Sequence, residues 1–314
     1  MRYMRTNITI KRKQRKTAAV LYMGAVLLLS ACDVKDPIYN TAHPEQGQII
    51  LTTDWTHRTD GVGIPDSYTI TVGPYTETAT ETALTLDNLF EPGEYRIRIY
   101  NLPQHVGLMG DALLVEPAMP PEGIDERFIQ PMPGWLFSST LWLDVMADTD
   151  HQVSAMMRQQ VRQLTLFIEP KGGALDRIKR IEGYLSGVAS MMDIYTEKLT
   201  EPANVALSFA RVTDGDNAGK WAATVRLLGV AGTRQTLHAT VFFEDDNPRP
   251  VPLTDADGNE GSDLTKALAG FNADKIHPLA LGGKVVETPT SSGFNATIRA
   301  WELQENVTGD ADLQ

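Results

Sequence analysis

Apolar residues recur at every second position in one segment after another of this chain, and that period admits little besides β-strands. Tyr68, Ile70 and Val72 alternate with Thr69 and Thr71 before a Gly73-Pro74 turn. Tyr95, Ile97 and Ile99 alternate with Arg96 and Arg98, and Trp221, Ala223, Val225 and Leu227 repeat the pattern far downstream. Period two offers one face to a core and the other to water, as half-buried antiparallel strands require. Strands expected at about 49–55, 67–72, 75–79, 83–86 and 94–101 follow at short spacing, which favours sandwiches over βαβ units. The fold expected is therefore all-β, with two tandem antiparallel β-sandwich domains and one or two short helices.

Glu116 to Gly134 carries Pro117, Pro120, Pro121, Pro131 and Pro133, a loop rather than an element. Trp135 to Val145 resumes a strand-like run, and a second series opens near His151. It continues through Leu164-Leu166-Ile168, Val205-Leu207-Phe209, Leu237-Ala239-Val241-Phe243 and Phe294-Ala296-Ile298-Ala300. Asp176 to Met192 is ambiguous. Ile178, Ile181, Leu185, Val188 and Met192 have helical spacing, whereas Gly183 and Gly187 weaken a helix. A short helix is expected at 262–270, with Ser262 as N-cap and Leu264 and Leu268 on one face. The expected domains are residues 47–148 and 149–305, followed by a tail at 306–314.

The N-terminus reads as a targeting segment. Residues 1–31 hold seven basic side chains and no acidic one, followed by an apolar run from about Ala18 to Leu29. A helix of some 12 residues spans about 18 Å, short of the roughly 30 Å hydrocarbon core of a bilayer. Leu29-Ser30-Ala31-Cys32 resembles the lipobox of bacterial lipoproteins, an aliphatic residue and two small ones before a cysteine whose thiol accepts a diacylglycerol. Cys32 is the only cysteine in the sequence, and it stands at the end of a removable segment rather than inside a domain. Leu29, Ser30 and Ala31 are the expected signal-peptidase recognition residues, and Cys32 the expected lipidation site. Residues 32–46 are polar and turn-rich, as expected of a tether.

Cleavage before Cys32 removes seven of the 28 basic residues and none of the 40 acidic ones, leaving a formal net charge of −19. Such a chain repels nucleic acid and anionic head groups. With its one cysteine lipidated, it has no thiolate for disulfides or metals, so packed cores must stabilise it.

In chain order, several segments are similar to a known family. They are the lipobox and tether, GQIILTTDW (Gly47–Trp55), FEPGEYRIRIYN (Phe90–Asn101), RQLTLFIE (Arg162–Glu169), RIEGYLSGVAS (Arg180–Ser190), RLLGV (Arg226–Val230), SDLTKALAGFN (Ser262–Asn272) and IRAW (Ile298–Trp301). Together they resemble the FimB-type fimbrial anchor lipoproteins of Bacteroidales and their relatives classed as a domain of unknown function. The resemblance implies transthyretin-like or immunoglobulin-like sandwiches, palmitate-type lipid anchoring in the outer membrane at the cell surface, and a part in a fimbrium. It implies fimbrial subunits as partners, met by strand addition to a sheet edge, and no catalytic residues or cofactors.

Other chemistry finds little support. The six histidines show no metal-ligand spacing, and Gly183-Tyr184-Leu185-Ser186-Gly187 places its serine one position late for a nucleophile elbow. Asp255-Ala256-Asp257-Gly258 begins like a calcium loop, but Lys266 occupies the twelfth position. Thr213 to Asn217 reads as a hairpin turn. Among five tryptophans, Trp135 and Trp142 lie near the proline-rich loop and are candidates for a glycan platform. A surface glycan-binding lipoprotein serving an outer-membrane uptake system is accordingly the alternative reading, favoured if the two rings share a cleft.

Overall fold

The computed structural model of the chain describes residues 38–304, apart from 174, 245–249 and 291–292. Its strands are β1 (Gly47–Asp54), β2 (Tyr68–Val72), β3 (Tyr75–Ala79), β4 (Ala83–Phe90), β5 (Gly93–Tyr100), β6 (Val106–Met109) and β7 (Ala112–Val115). There follow β8 (Pro117–Ala118), β9 (Phe128–Ile129), β10 (Phe137–Val145), β11 (Thr149–Met156), β12 (Arg158–Gln159), β13 (Arg162–Lys171) and β14 (Ile178–Asp193). The last are β15 (Leu199–Arg211), β16 (Trp221–Leu227), β17 (Thr236–Phe243), β18 (Val251–Thr254), β19 (Ser262–Asp263), β20 (Leu279–Thr290) and β21 (Gly293–Leu303).

Sheets β11-β1-β4 and β12-β10-β5-β2-β3 form the first sandwich. Ile49, Leu51, Ile70, Val72, Ile97, Ile99 and Phe137 are fully buried between them. Trp55 closes this core, its ring 5.5 Å edge-on from both Tyr68 and Phe137. Its indole N–H donates to Thr53 Oγ1 at 2.8 Å, which satisfies the one polar atom of the side chain. Burial of each such aliphatic or aromatic side chain stabilises the fold by about 1.5–3 kcal/mol.

The second half is a sandwich joined to itself at both sides. β14, β17, β18, β21, β20, β13, β16 and β15 pair in that order, and β15 pairs back onto β14. Two of the joints are narrow: β15 meets β16 at Ala210 and Arg211, and β18 meets β21 at Leu253 and Thr254. Its core holds Leu164, Leu166, Ile168, Ile181, Leu185, Val205, Val225, Leu227 and Val241.

The structure is all-β, as the alternation requires, and departs from the expected details in four ways. Pairing is mixed: β1–β11, β13–β20, β18–β21 and β15–β9 are parallel. Among the described residues the only helical element is a single 3₁₀ turn, Leu175–Arg177. The helix expected at 262–270 is replaced by β19 and a run of turns, because Leu264, Leu268 and Phe271 each plug the core. Ser262 Oγ accepts from Trp301 Nε1 at 2.8 Å instead of capping a helix. Asp176 to Met192 is mostly strand β14, with register shifts at Ile178/Arg180 and Leu185/Val188. Each shift inserts one extra residue, so Ile178 and Ile181, and Leu185 and Val188, fall three apart; with the four-residue steps in regular register between and after them, they imitate helical spacing.

Strand pairing also cuts across the expected boundary between residues 148 and 149. β11 pairs with β1 along its whole length, while β7 and β9, from before the boundary, pair with β14 and β15. Trp135 packs against both cores. The tether, too, is docked where it is described. Asp148 accepts from the backbone N–H groups of Asn40 (2.8 Å) and Thr41 (2.7 Å), and His43 Nε2 lies 3.0 Å from Asp150. Polar residues with too little apolar surface to pack are here ordered by charge-assisted hydrogen bonds.

Candidate strand-docking edge

β10 reads FSSTLWLDV, and its alternation sets its chemistry. Phe137 and Val145 are buried in the first core, and Leu141 and Leu143 pack on it while still partly exposed. The opposite face presents Thr140, Trp142 and Asp144. On one side β10 is bonded to β5 from Ser138 to Val145. On the other, β12 covers Phe137 and Ser138 alone, so among the described residues nothing pairs with 139–145 there.

That free edge borders a groove of about 480 Å³ between β10 and β11. Thr140, Leu141, Ala155 and Met156 line it from the first sandwich, Tyr195 and Glu197 from the β14–β15 turn. Unpaired backbone N–H and C=O groups beside half-covered leucines suit an added strand: the backbone gives affinity, alternate side chains give register. The other open edges of the first half are less receptive. β3 is five residues long and carries Glu77, β4 carries Asp87, and β11 projects Asp150. Charges and short length are the usual protections of an edge, and β10 holds its single charge, Asp144, near one end.

Trp142 is half of a clamp beside this edge. The Arg96 guanidinium lies 4.3 Å from the Trp142 ring centre and 4.0 Å from that of Tyr195, on the second half. Arg98 reinforces it by donating to Thr71 Oγ1 (2.8 Å) and pairing with Asp111 at 2.6 Å. Thr140 Oγ1 donates to the Ile194 carbonyl at 3.2 Å. The groove wall supplied by the second half is thereby fixed to the first.

Of the residues singled out by sequence, Leu29, Ser30, Ala31 and Cys32 lie outside the described residues. Trp135 and Trp142 do not share a surface. Trp135 is wedged between the cores with Arg226 5.1 Å from its ring, whereas Trp142 stands exposed in mid-strand. Seven residues of extended chain separate them by roughly 20 Å. Arg96 and Tyr195 were invisible to sequence reasoning, because an outward arginine in an alternating strand and a turn tyrosine carry no local signature. Neither the Asp255 loop nor any histidine joins a metal-ligating group of three or more among the described residues. Asp255 Oδ1 instead accepts from the N–H groups of Asp257 and Asn259, both at 2.9 Å.

Neither a protein-family model nor a curated protein sequence matches the chain. Its fold is found in solved structures from Bacteroidales. A candidate adhesin from Bacteroides ovatus aligns with a TM-score of 0.53 at 13% identity, over 79% of this chain and 91% of that one. A second B. ovatus candidate adhesin gives 0.52 at 10%, over 84% and 96%. The fimbrial anchor protein Mfa2 from Porphyromonas gingivalis gives 0.52 at 11%, over 80% and 95%. At these identities the likeness is one of fold, and it agrees with the FimB-type resemblance carried by the sequence motifs.

Proposed function

We propose that this chain is a non-enzymatic surface lipoprotein, anchored in the outer membrane through lipid on Cys32, that serves as a fimbrial anchor or accessory subunit. The observation that carries this reading is the free β10 edge with its groove, an acceptor for a strand of a fimbrial subunit. The fold shared with adhesins and a fimbrial anchor supports it, as does the lipobox. Two or more acyl chains anchor stably at about 0.8 kcal/mol per buried methylene. Eight residue-to-residue steps separate Cys32 from Asn40, a reach of at most about 28 Å, so the docked tether would hold the β10–β11 turn close to the membrane. The glycan alternative would have been favoured by Trp135 and Trp142 sharing one cleft, and they do not.

A photo-cross-linking amino acid at Thr140, expressed in the native host, tests the docking edge. Capture of a fimbrial subunit from Thr140, and not from Thr76 on β3, is the expected result. Capture of an uptake porin, or of nothing, would overturn the reading. Separately, Cys32→Ser should lose incorporation of labelled palmitate and outer-membrane partitioning. Retention of both would sink lipid anchoring while leaving the edge untouched.

A further inference from the structure

A groove of about 890 Å³ lies on the outer face of β15, β14 and β17, under the proline-rich segment. Register places two rows of side chains on its floor: Ser208, Glu182 and Thr240, then Ala206, Tyr184 and His238. Pro121, Ile124, Pro131 and Met132 form a wall. That wall is held by β9, whose Phe128 is buried and pairs with Asn204, and by the Arg226 N–H bond to the Pro131 carbonyl at 2.9 Å. The groove is therefore a built feature and not the underside of a loose loop.

We propose that this groove docks an extended peptide segment of a partner protein that carries lysine or arginine. Charge complementarity argues for the cation. Glu122, Glu182 and Glu260 line the groove with no lysine or arginine among the lining residues. Glu182 is paired with Arg180 at 3.0 Å, but Glu122 and Glu260 have no ion pair among the described residues. Among the described residues Glu126 accepts only from the neutral Asn204 amide, at 2.5 Å. Burial holds His238 below its ordinary range, so it is neutral at pH 7 and does not oppose an incoming cation. The Tyr184 hydroxyl and the His238 ring nitrogens make no hydrogen bond within the described residues, and both are open to an incoming donor.

The geometry argues for a peptide over a sugar or a second copy. Tyr184 stacks on His238 at 4.6 Å and 17°, and Phe128 meets Tyr184 edge-on at 5.4 Å. The backbone of Gly261 closes on His238, so that an added Cβ there would stand 3.2 Å from the imidazole. With both partners of the stack engaged, no broad aromatic face is left for a pyranose ring. A second copy of so acidic a chain is repelled by the same carboxylates. What remains is a trough with an apolar wall and carboxylates on its floor and rim, suited to side chains that pair an aliphatic stem with a cationic head.

Fluorescence anisotropy with a labelled seven-residue peptide of alternating valine and lysine tests this, against the same peptide with glutamate for lysine. The lysine peptide should bind saturably, and Glu122→Gln/Glu260→Gln, at two exposed rim positions, should weaken it roughly tenfold. Tyr184→Phe should weaken it several-fold. Equal binding of the glutamate peptide, or full affinity in the double variant, would overturn the proposal, as would binding of neutral oligosaccharides in place of the lysine peptide. Thr140→Pro, which disrupts the β10 edge, should leave this binding intact, so the two docking surfaces fail independently.

Discussion

The guanidinium of Arg96 stands 4.0 Å from the centre of the Tyr195 ring, and the two residues belong to opposite halves of the molecule. Trp142 covers the other side of the same guanidinium, so the charge is held between two π faces. Its Nε is buried with no hydrogen-bond acceptor, leaving the rings to compensate. A double-mutant cycle with Arg96→Ala and Tyr195→Ala should give a coupling of about 0.5–2 kcal/mol. Denaturant melts measure it. Additive single effects would show that the contact does not join the halves.

The docked tether should respond to pH. The Gln46 carbonyl and then Asp150 raise the pKa of His43 above its ordinary 6.5, while hydrogen bonds from Asn40 and Thr41 lower that of Asp148. His43 therefore contributes fully below about pH 6.5, and its contribution fades as pH rises through its raised value. Asp148 contributes above about pH 4, and its contribution fades as pH falls through its lowered value. Amide protection factors at Asn40 and Thr41 should be larger at pH 6 than at pH 8. Asp148→Ala should abolish protection at both, whereas His43→Gln should remove only the pH dependence.

Gly183 has no room for a side chain. A Cβ there would lie 2.0 Å from the His238 carbonyl oxygen and 2.6 Å from the Ala239 Cα, backbone atoms that cannot swing aside. Gly183→Ala should destabilise by about 3 kcal/mol or more in thermal or denaturant unfolding. Gly63→Ala, where a Cβ meets nothing within 4 Å, should shift stability by less than about 1 kcal/mol. Similar losses at both sites would refute the close approach between β14 and β17.

Lys275 is a charge in the wrong place. Burial pushes its pKa from 10.5 to about 8, although its ammonium donates to the Leu228 carbonyl. Between those values the unfolded chain binds the proton that the folded chain releases, so stability should climb from pH 8 to 10.5. Lys275→Met should stabilise the protein by roughly 1–3 kcal/mol at pH 7 and flatten that climb. Unfolding curves across the range would show it, and a destabilised methionine variant would mean the Leu228 bond outweighs desolvation.

Local alternation made β1, β2, β3, β5 and β10 legible within a residue or two, since Ile70, Ile97 and Ile99 keep strict phase, whereas the short β6 to β9 carried no such signal. It failed where phase breaks. The two register shifts of β14 left Asp176 to Met192 open between helix and strand, and Leu264 and Leu268 matched a helical face while serving, with Phe271, as plugs between turns. β20 was missed because Gly282 and Gly283 interrupt its apolar run, and an added Cβ there would strike Gln304, Ile298 or Trp301. Partner choice was illegible throughout. Nothing near Thr149 announces that it pairs in parallel with Gly47, a hundred residues earlier. The docking edge was hidden for the same reason, because a free edge is the absence of a neighbour. The proline-rich stretch, expected to be a loop, carries the two short strands β8 and β9, and its part as the wall of a groove depends on Phe128 finding β15.

The parallel pairing of β1 with β11 has a mechanical consequence. Eight consecutive residues, Gly47 to Asp54, are matched to Thr149 to Met156, with β4 bonded along the opposite side. The chain enters this arrangement at the N-terminal end of β1, so a force pulling on residues before Gly47 acts along the strand axis. Hydrogen bonds across a sheet lie perpendicular to that axis and must then break together in shear, instead of one after another as in an unzipping hairpin. The clip of Asp148 on Asn40 and Thr41 lies upstream of β1 and should yield first, taking up slack before the sheet bears the load. A body anchored through its N-terminal tether, as proposed, would meet the drag of flowing liquid with a strand bonded along both of its sides.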